Sequence, residues 1–374
     1  STQSDNPVFV FGSLLEQGRF GQQHFDPAFL NDPSSLRNDR LAFNIRYTFF
    51  DQFRRLNATR QTRNNVSGSK HVAEELRQQT IVGVLRAYYG AALADQRRVV
   101  TATAVKAAES EVASIRDKLA EGLIVESDLL AAEVQLAEFR QQLVDAEGAV
   151  AIARASLATF LQRPVHEPIE ISAAIPAKAF PAVALEDAIA SGASRSDLAA
   201  ARATVDNARL ELQSARGSLL PRLDGFASWG ASGRTFTTGG ADRTFALVAS
   251  IDLLDVSKFA RVAEARAGRE AARAAETAAR NRVTMEIVTA WHHLRSAEQR
   301  VALAAKAATQ AEAAARIIRD RYDNGLTTIS DQLRADTAVL RAQLDLLAAR
   351  HDHVIGQAEL LRATGGLHDV ESFL

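Results

Sequence analysis

Two stretches of the chain alternate strictly between apolar and polar side chains. In residues 40–49 the apolar positions are Leu41, Phe43, Ile45, Tyr47 and Phe49. In residues 244–253 they are Phe245, Leu247, Ala249, Ile251 and Leu253. Successive side chains of a strand point to opposite faces, so each stretch predicts a strand with one apolar face. Weaker strands are predicted just before them, over Pro7–Leu15 and Arg222–Ser232, which gives two β-hairpins with polar connections over 17–38 and 233–242.

Long helical patterns follow both strong strands. No proline interrupts Phe53–Leu119 or Val256–Tyr322. At ~1.5 Å per residue, each stretch predicts a helix of roughly 100 Å. Gly68, Gly83 and Gly90 lie within the first stretch and allow a bend or a local break there.

Both long helices are expected to end at a glycine, Gly122 or Gly325, the residue type typical of the position just past a helix C-terminus. The capping-type pairs Ser127-Asp128 and Ser330-Asp331 then predict the start of two return helices.

The return helices are expected to end near Phe160–Pro164 and near Thr364-Gly365-Gly366. Each spans about half the length of a long helix. A second helix over Val183–Ser218 would extend alongside the remaining half. The same reasoning predicts a further helix, with an export signal, upstream of Ser1.

The two halves of the chain repeat each other. Residues 117–128 read DKLAEGLIVESD and residues 320–331 read DRYDNGLTTISD, with Asp, Gly-Leu and Ser-Asp at the same spacing. Upstream, Ala87-Tyr88 aligns with Ala290-Trp291. A period this long makes each half one structural unit, a strand pair followed by a long helical hairpin.

The expected organisation has seven segments. They are a first β-hairpin (1–51), a first long helical hairpin (52–163), an equatorial linker (164–182), a return helix (183–219), a second β-hairpin (220–255), a second long helical hairpin (256–365) and a C-terminal tail (366–374).

Composition excludes several functional classes. A formal net charge of −1 gives no electrostatic case for binding nucleic acid. The absence of cysteine rules out disulfides and thiolate metal sites. His292-His293 and the pair His351 and His353 diverge on a helix, so no metal site is expected, and no motif predicts a cofactor or an enzyme. No stretch approaches the ~20 apolar residues of a membrane helix, so any contact with a membrane must use the strands.

At three junctions the sequence resembles the TolC-type outer-membrane efflux proteins. The motif SIDLLDVSKF over Ser250–Phe259 and the shorter Thr48–Asp51 resemble that family's strand-to-helix junction. Leu219–Leu223 resembles the entry to its third strand, and the Gly-Leu turns, in each of which Asp follows six residues after the glycine, resemble its periplasmic tips. The order and spacing of these motifs along nearly the whole chain make the resemblance specific.

The resemblance implies a mainly α protein with membrane β-structure. Each protomer of a homotrimer would contribute four strands to a 12-stranded β-barrel in outer-membrane lipid and its helices to a periplasmic α-helical barrel. The implied function is the exit duct of a tripartite efflux pump or a type I secretion system. Its implied partners are a periplasmic adaptor protein and an inner-membrane pump.

Physical reasoning also requires several copies of the chain. Membrane barrels start at about eight strands, so four strands cannot close one. An unclosed sheet would leave unpaired backbone groups in lipid.

The resemblance also implies a gated periplasmic aperture. Asp331 matches a position where the family carries a ring of acidic residues, and Asp128 and Tyr322 match a pair that hydrogen-bonds between hairpins. The family often has a second acid where this chain has Arg334, a departure that puts cation selectivity in doubt. Asp331 and Arg334 lie one helical turn apart and can pair with each other.

Gly122-Leu123 and Gly325-Leu326 match the tips that would contact the adaptor. Glycine is also the residue that a helix end requires, so only the exposed leucines favour a partner surface.

One other class of protein remains as an alternative. A periplasmic helical-hairpin adaptor or scaffold would share the long helices but would not need two strand hairpins with an apolar face. A soluble coiled-coil protein fits neither the strands nor the missing heptad regularity. A requirement for detergent during purification distinguishes the channel from both.

Overall fold

The computed structural model describes residues 1–167, 169, 171, 175, 183–235, 238–368 and 373. Within these residues the helices and strands run in the following order: β1 (Thr2–Ser4), α1 (Pro7–Glu16), α2 (Pro27–Asn31), β2 (Leu36–Phe50), α3 (Arg54–Ala120), α4 (Glu126–Phe160), α5 (Leu185–Ser191), α6 (Ser196–Gly217), β3 (Arg222–Thr235), β4 (Thr238–Ser250), α7 (Val256–Asp323) and α8 (Ile329–Thr364). Short 3₁₀ turns lie at Gln22–Phe25 and Gly192–Ser194.

The chain forms two units, and each is described separately. One contains Ser1–Val66 and Ala203–Arg273, and it holds the whole sheet. The other contains Ser67–Arg202 and Ala274–Leu374, and it holds the helical hairpins. Both α3 and α7 run through the two units without interruption.

The four strands form one antiparallel sheet in the order β1-β2-β3-β4. β2 pairs with β3 from Asp39 opposite Gly233 to Phe50 opposite Leu223, so the second predicted hairpin, β3 and β4, joins β2 edge to edge. The alternation read from the sequence is confirmed: Phe43 is 71% exposed, Ile45 67% and Phe245 80%. An exposed apolar face of this kind marks contact with a membrane or another protein.

The predicted strand over Pro7–Leu15 is wrong, because this segment is helix α1. Asn6 caps the helix: its Oδ1 accepts hydrogen bonds from the backbone N–H groups of Val8 (3.0 Å) and Phe9 (3.2 Å). Pro7 occupies the first helical position, where its fixed φ is favourable. The strand before β2 in the sequence is instead β1, which is only three residues long and pairs with Leu36–Asn38 at the start of β2.

The predicted polar connections also contain regular structure. The first, 17–38, includes α2 and the start of β2. The second, 233–242, is mostly strand, since β3 continues to Thr235 and β4 begins at Thr238.

The two long helices are confirmed to within about two residues at each end. The three glycines do not break α3, which is continuous. Gly83 has a packing role instead. A Cβ there would lie 2.8 Å from a ring carbon of Phe160, so glycine lets the end of α4 approach α3 closely.

The single helix predicted over Val183–Ser218 is interrupted. It consists of α5, a 3₁₀ turn and α6, and the backbone of Arg195 is extended between them (φ −57°, ψ 143°). The proline-rich linker predicted over 164–182 and the tail over 366–374 lie largely outside the described residues.

Arg195 explains the interruption, because its guanidinium is anchored on all sides while only 3% of the residue is exposed. It donates to both carboxylate oxygens of Asp197 (3.0 and 2.7 Å), to Glu286 (2.8 Å) and to the carbonyl of Ala363 (3.1 Å). Burial disfavours the charged guanidinium, but hydrogen bonds and ion pairs with Asp197 and Glu286 outweigh it and raise the pKa of Arg195 above its usual value.

Arg362 and Glu75 complete this ion network, with 3.1 Å between Nη1 of Arg362 and Oε1 of Glu75. The network therefore joins α3, α6, α7 and α8 in the helical unit. Two guanidinium groups face three carboxylates there, so no buried charge is left without a partner.

We expect Arg195→Met to destabilise the protein by about 3–5 kcal/mol, because it leaves the carboxylates of Asp197 and Glu286 without their buried partner. The measurement is denaturant unfolding followed by circular dichroism. The matched control is Arg202→Met. That guanidinium is 51% exposed and 3.8 Å from Glu276, so we expect a loss below about 1 kcal/mol. Equal losses in the two variants would contradict the role given to Arg195.

Candidate functional site at the helical tips

The two turns that join α3 to α4 and α7 to α8 have the same backbone geometry. Gly122 and Gly325 both adopt left-handed conformations, with φ of 74° and 69°. In the first turn the N–H of Leu123 bonds the carbonyl of Lys118 (2.9 Å), and in the second the N–H of Leu326 bonds that of Arg321 (2.8 Å). Each turn is a Schellman motif, as expected where a helix ends at glycine. These turns are called the tips below.

Both tips expose a leucine. Leu123 and Leu326 are each 68% exposed, although most leucines of the helical hairpins are at least partly buried. The structure therefore places these two residues, as the sequence predicts, on accessible turns. A pair of exposed apolar side chains at equivalent turns offers a small contact surface for another molecule.

A polar side chain caps the start of α8, as predicted, but the cap lies two residues before the predicted Ser330. Thr328, not Ser330, is the N-cap residue, and Asp331 lies three residues further on. The Asp331 carboxylate accepts hydrogen bonds from the hydroxyls of Thr327 (2.8 Å) and Thr328 (2.9 Å). Those bonds stabilise the charged form and lower the pKa of Asp331 below its usual value.

The predicted capping role of Ser127-Asp128 is wrong. α4 begins after Val125, which has no side-chain capping bond, and Asp128 lies in the first turn with its backbone N–H bonded to the carbonyl of Val125 (3.0 Å). Its negative carboxylate stabilises the helix only by its attraction to the positive N-terminal end of the helix dipole. The two repeats therefore share the turn but differ in how the following helix is capped.

Asp331 and Arg334 form the ion pair that their spacing predicts, with 3.7 Å between Oδ1 and Nη1. Both side chains are exposed, at 43% and 79%. The pair is thus weak, and water screens it. No hydrogen bond or ion pair joins either residue to Asp128 or Tyr322 in the part of the chain that the structure describes.

Tyr322 is partly buried in the apolar cluster near the tips, and its hydroxyl has no hydrogen-bond partner among the described residues. The expected Asp128–Tyr322 hydrogen bond is therefore not formed within this chain. Burial raises the pKa of Tyr322, and the nearby charge of Asp128 adds to that rise while Lys118 opposes it. Asp128 is close enough to act electrostatically without bonding.

Lys118 makes the contact between hairpins that the sequence analysis assigned to Asp128. Its Nζ lies 4.8 Å from the ring centroid of Tyr322 and 3.1 Å from the Asp323 carboxylate. It thereby joins the last turn of α3 to the last turn of α7. The sequence repeat could have identified Lys118 as a candidate residue, because it aligns with Arg321 and both are cations in the last turn of a helix.

The arrangement provides charged and aromatic contacts rather than reactive groups. Among the described residues, no group of three or more His, Cys, Asp or Glu side chains could hold a metal ion. None of the described helices is both long and apolar enough to cross a membrane.

The chain matches one protein family in sequence, and it is similar in fold to several solved structures. The family model "Outer membrane efflux protein" matches residues 21–162 and 190–366. VceC, an outer membrane protein of Vibrio cholerae, is 18% identical with a TM-score of 0.80, over 93% of this chain and 84% of VceC.

Two further solved structures are similar. The CmeC outer membrane channel of Campylobacter jejuni is 15% identical with a TM-score of 0.78, over 91% of this chain and 74% of CmeC. The open state of the MtrE outer membrane channel of Neisseria gonorrhoeae is 16% identical with a TM-score of 0.74, over 97% and 86% of the two chains. No curated protein matches the sequence.

We expect Gly325→Ala to destabilise the second tip by about 1–2 kcal/mol, because a Cβ is strained at φ 69°. The matched control is Gly268→Ala inside α7, three turns from its start, where a Cβ meets nothing within 4 Å. That change should stabilise the protein by about 0.5–1 kcal/mol. The midpoint of thermal unfolding should therefore fall in Gly325→Ala and rise in Gly268→Ala. A shift in the same direction in both variants would contradict the left-handed conformation assigned to Gly325.

Proposed function

Because the chain belongs to the outer membrane efflux protein family and is an outer-membrane efflux channel with a periplasmic helical extension, we propose that it forms the exit duct of a tripartite efflux pump or a type I secretion system. Transport through the duct is passive. An inner-membrane pump supplies the energy, and a periplasmic adaptor connects the two. Family membership sets aside the alternative of a periplasmic adaptor or scaffold without a membrane barrel.

The observation that carries this proposal is the open apolar sheet. Among the described residues, the outer edge of β4, the outer edge of β1 and the edge of β2 beyond β1 have no strand partner, while one face exposes a row of large apolar side chains. In hydrocarbon, unpaired backbone N–H and C=O groups cost several kcal/mol each. Three copies, each giving four strands to a common 12-stranded barrel, remove the free edges and turn the apolar face toward lipid.

The helical tips supply the proposed gate. Three copies of Asp331 would place carboxylates around the periplasmic aperture, where they attract cations. Arg334 lies 3.7 Å from each carboxylate and reduces that attraction. Lys118 holds α3 against Tyr322 and Asp323 on α7, and the charge of Asp128 acts on Tyr322 from the first turn of α4.

The same tips supply the proposed contact with the adaptor. Gly122 and Gly325 fix the two turns, and Leu123 and Leu326 present their side chains to solvent. Burying an exposed leucine against a partner gives roughly 1.5–3 kcal/mol, so several such contacts can support a stable complex.

The function is tested with the purified full chain in detergent and in planar bilayers. We expect a trimer by mass measurement in detergent and discrete conductance steps after reconstitution. A monomer that stays monodisperse without detergent, or bilayers without conductance, would overturn the proposal.

The gate is tested separately with Asp331→Ala. We expect a higher single-channel conductance or weaker block by divalent cations, because the charge at the aperture is removed. Block of the unmodified channel should persist as the pH falls toward 3.8, the ordinary carboxyl value, and disappear only below it, because the pKa of Asp331 is lowered. Asp345→Ala, an exposed acid further along α8, is the matched control. If Asp331→Ala leaves both conductance and block unchanged, Asp331 has no place in the gate.

A further inference from the structure

A cavity of about 540 Å³ lies between the start of α3 and the end of α6, where both helices meet the sheet. Two of its lining residues mark that place, since Phe53 follows β2 closely and Leu220 comes just before β3. The side-chain amide of Gln52 donates a hydrogen bond to the carbonyl of Leu220, and Nδ2 of Asn57 donates to Oγ of Ser214 (3.0 Å). These bonds hold the two helices around the cavity, whose volume falls within the range of sites for small molecules.

The charge of the lining has one sign. Two arginines, Arg60 and Arg216, line the cavity together with two amides, one glycine and three large apolar residues, and none of the lining residues is acidic. Both arginines are exposed, and neither guanidinium forms an ion pair within 4 Å among the described residues. The neighbouring Arg55, by contrast, pairs with Asp51 at 3.5 Å. The cavity therefore carries positive charge without a counter-charge, which attracts an anion.

The apolar part of the lining is exposed as well. Phe53, Leu56 and Leu220 are 49%, 48% and 42% exposed. The ring of Phe53 lies 5.3 Å from that of Phe50, the last residue of β2, so this surface continues onto the end of the sheet. A charged ligand with an apolar extension would cover both parts of the lining.

Aromatic contacts at this end of the sheet are typical of a membrane boundary. The ring of Tyr47, on the apolar face of β2, lies 5.2 Å from that of Phe49 and 5.8 Å from the guanidinium of Arg55 at the start of α3. In membrane barrels, girdles of aromatic residues flank the apolar band at both interfaces with water. Arginine side chains at such an interface reach charged headgroups while their stems stay among apolar groups. We expect the cavity to open at the level of the lipid headgroups.

The lining selects the class of ligand. Inorganic phosphate would pair with the two arginines but leave the three apolar side chains exposed to water. A lipid without net charge would bring its own cation beside two arginines, with no acid in the lining to balance it. A phospholipid of net negative charge satisfies both parts. Guanidinium groups bind its phosphate through paired N–H donors, and its acyl chain covers the apolar side chains.

We propose that this cavity binds one phospholipid of net negative charge. Its phosphate lies between Arg60 and Arg216, and the first part of an acyl chain lies on the three apolar side chains. The inference goes beyond the proposed duct function and does not depend on it. No gate or tip residue takes part, and binding needs only that the sheet stands in the outer membrane.

The test titrates the purified full chain, in a non-ionic detergent, with dihexanoyl phosphatidylglycerol and follows the heat of binding. We expect saturable binding of one molecule per chain. Dihexanoyl phosphatidylcholine has the same chains without net charge, and glycerol phosphate has the anion without chains. Each should bind at least about tenfold more weakly, because each satisfies only one part of the lining. Equal binding of phosphatidylcholine, equal binding of glycerol phosphate, which would indicate a site for free phosphate, or no saturable heat would overturn the proposal.

Variants locate the binding. Arg60→Gln and Arg216→Gln should each weaken phosphatidylglycerol about tenfold or more, because each removes a charged donor to the phosphate. Arg266→Gln is the matched control. Arg266 is also exposed and forms no ion pair within 4 Å among the described residues, but it lies on α7 outside the lining, so its substitution should leave the affinity unchanged. Unchanged affinity in either cavity variant, or an equal loss in the control, would overturn the proposal.

Discussion

Unpaired backbone groups at the edges of the four-stranded sheet constrain the rest of this protein. Water can satisfy such groups at an ordinary surface, but hydrocarbon cannot, so a membrane sheet must close on itself. β1 is only three residues long and β4 is the other outer strand, so the strands described for one chain do not close into a barrel. The row of exposed aromatic and aliphatic side chains on β2 and β4 fits only lipid or another apolar surface. Oligomeric assembly is therefore a condition of the fold rather than an addition to it.

The helical unit is stabilised by a different balance of forces. Its walls are rich in alanine, which favours helix but buries little apolar area per residue. Ion pairs between helices supplement this packing. The buried network around Arg195 joins four helices, and exposed pairs such as Arg116–Glu133 join α3 to α4. The buried network matters more, since solvent screens exposed pairs.

The sequence predicts the parts of this structure that depend on local patterns. Strict alternation predicts β2 and β4, proline-free runs predict α3 and α7, and the two glycines mark the tips, because each of these signals is carried by neighbouring residues. The errors arise where one side chain overrides a weaker pattern. Asn6 caps α1 where apolar residues predicted a strand, and the buried contacts of Arg195 interrupt a predicted helix. At the tips, Lys118 rather than Asp128 contacts Tyr322, and spacing alone does not reveal which cation reaches that ring.

The two repeats share the geometry of the turn but differ in the start of the helix that follows it. Thr328 and Asp331 exchange hydrogen bonds that hold the first turn of α8, whereas the first turn of α4 follows Val125 without any side-chain bond. The first backbone N–H groups of α4 thus lack a side-chain capping bond, and we expect that end of the helix to open at a lower free energy than the start of α8. Two turns of the same geometry therefore lead into helices of unequal local stability.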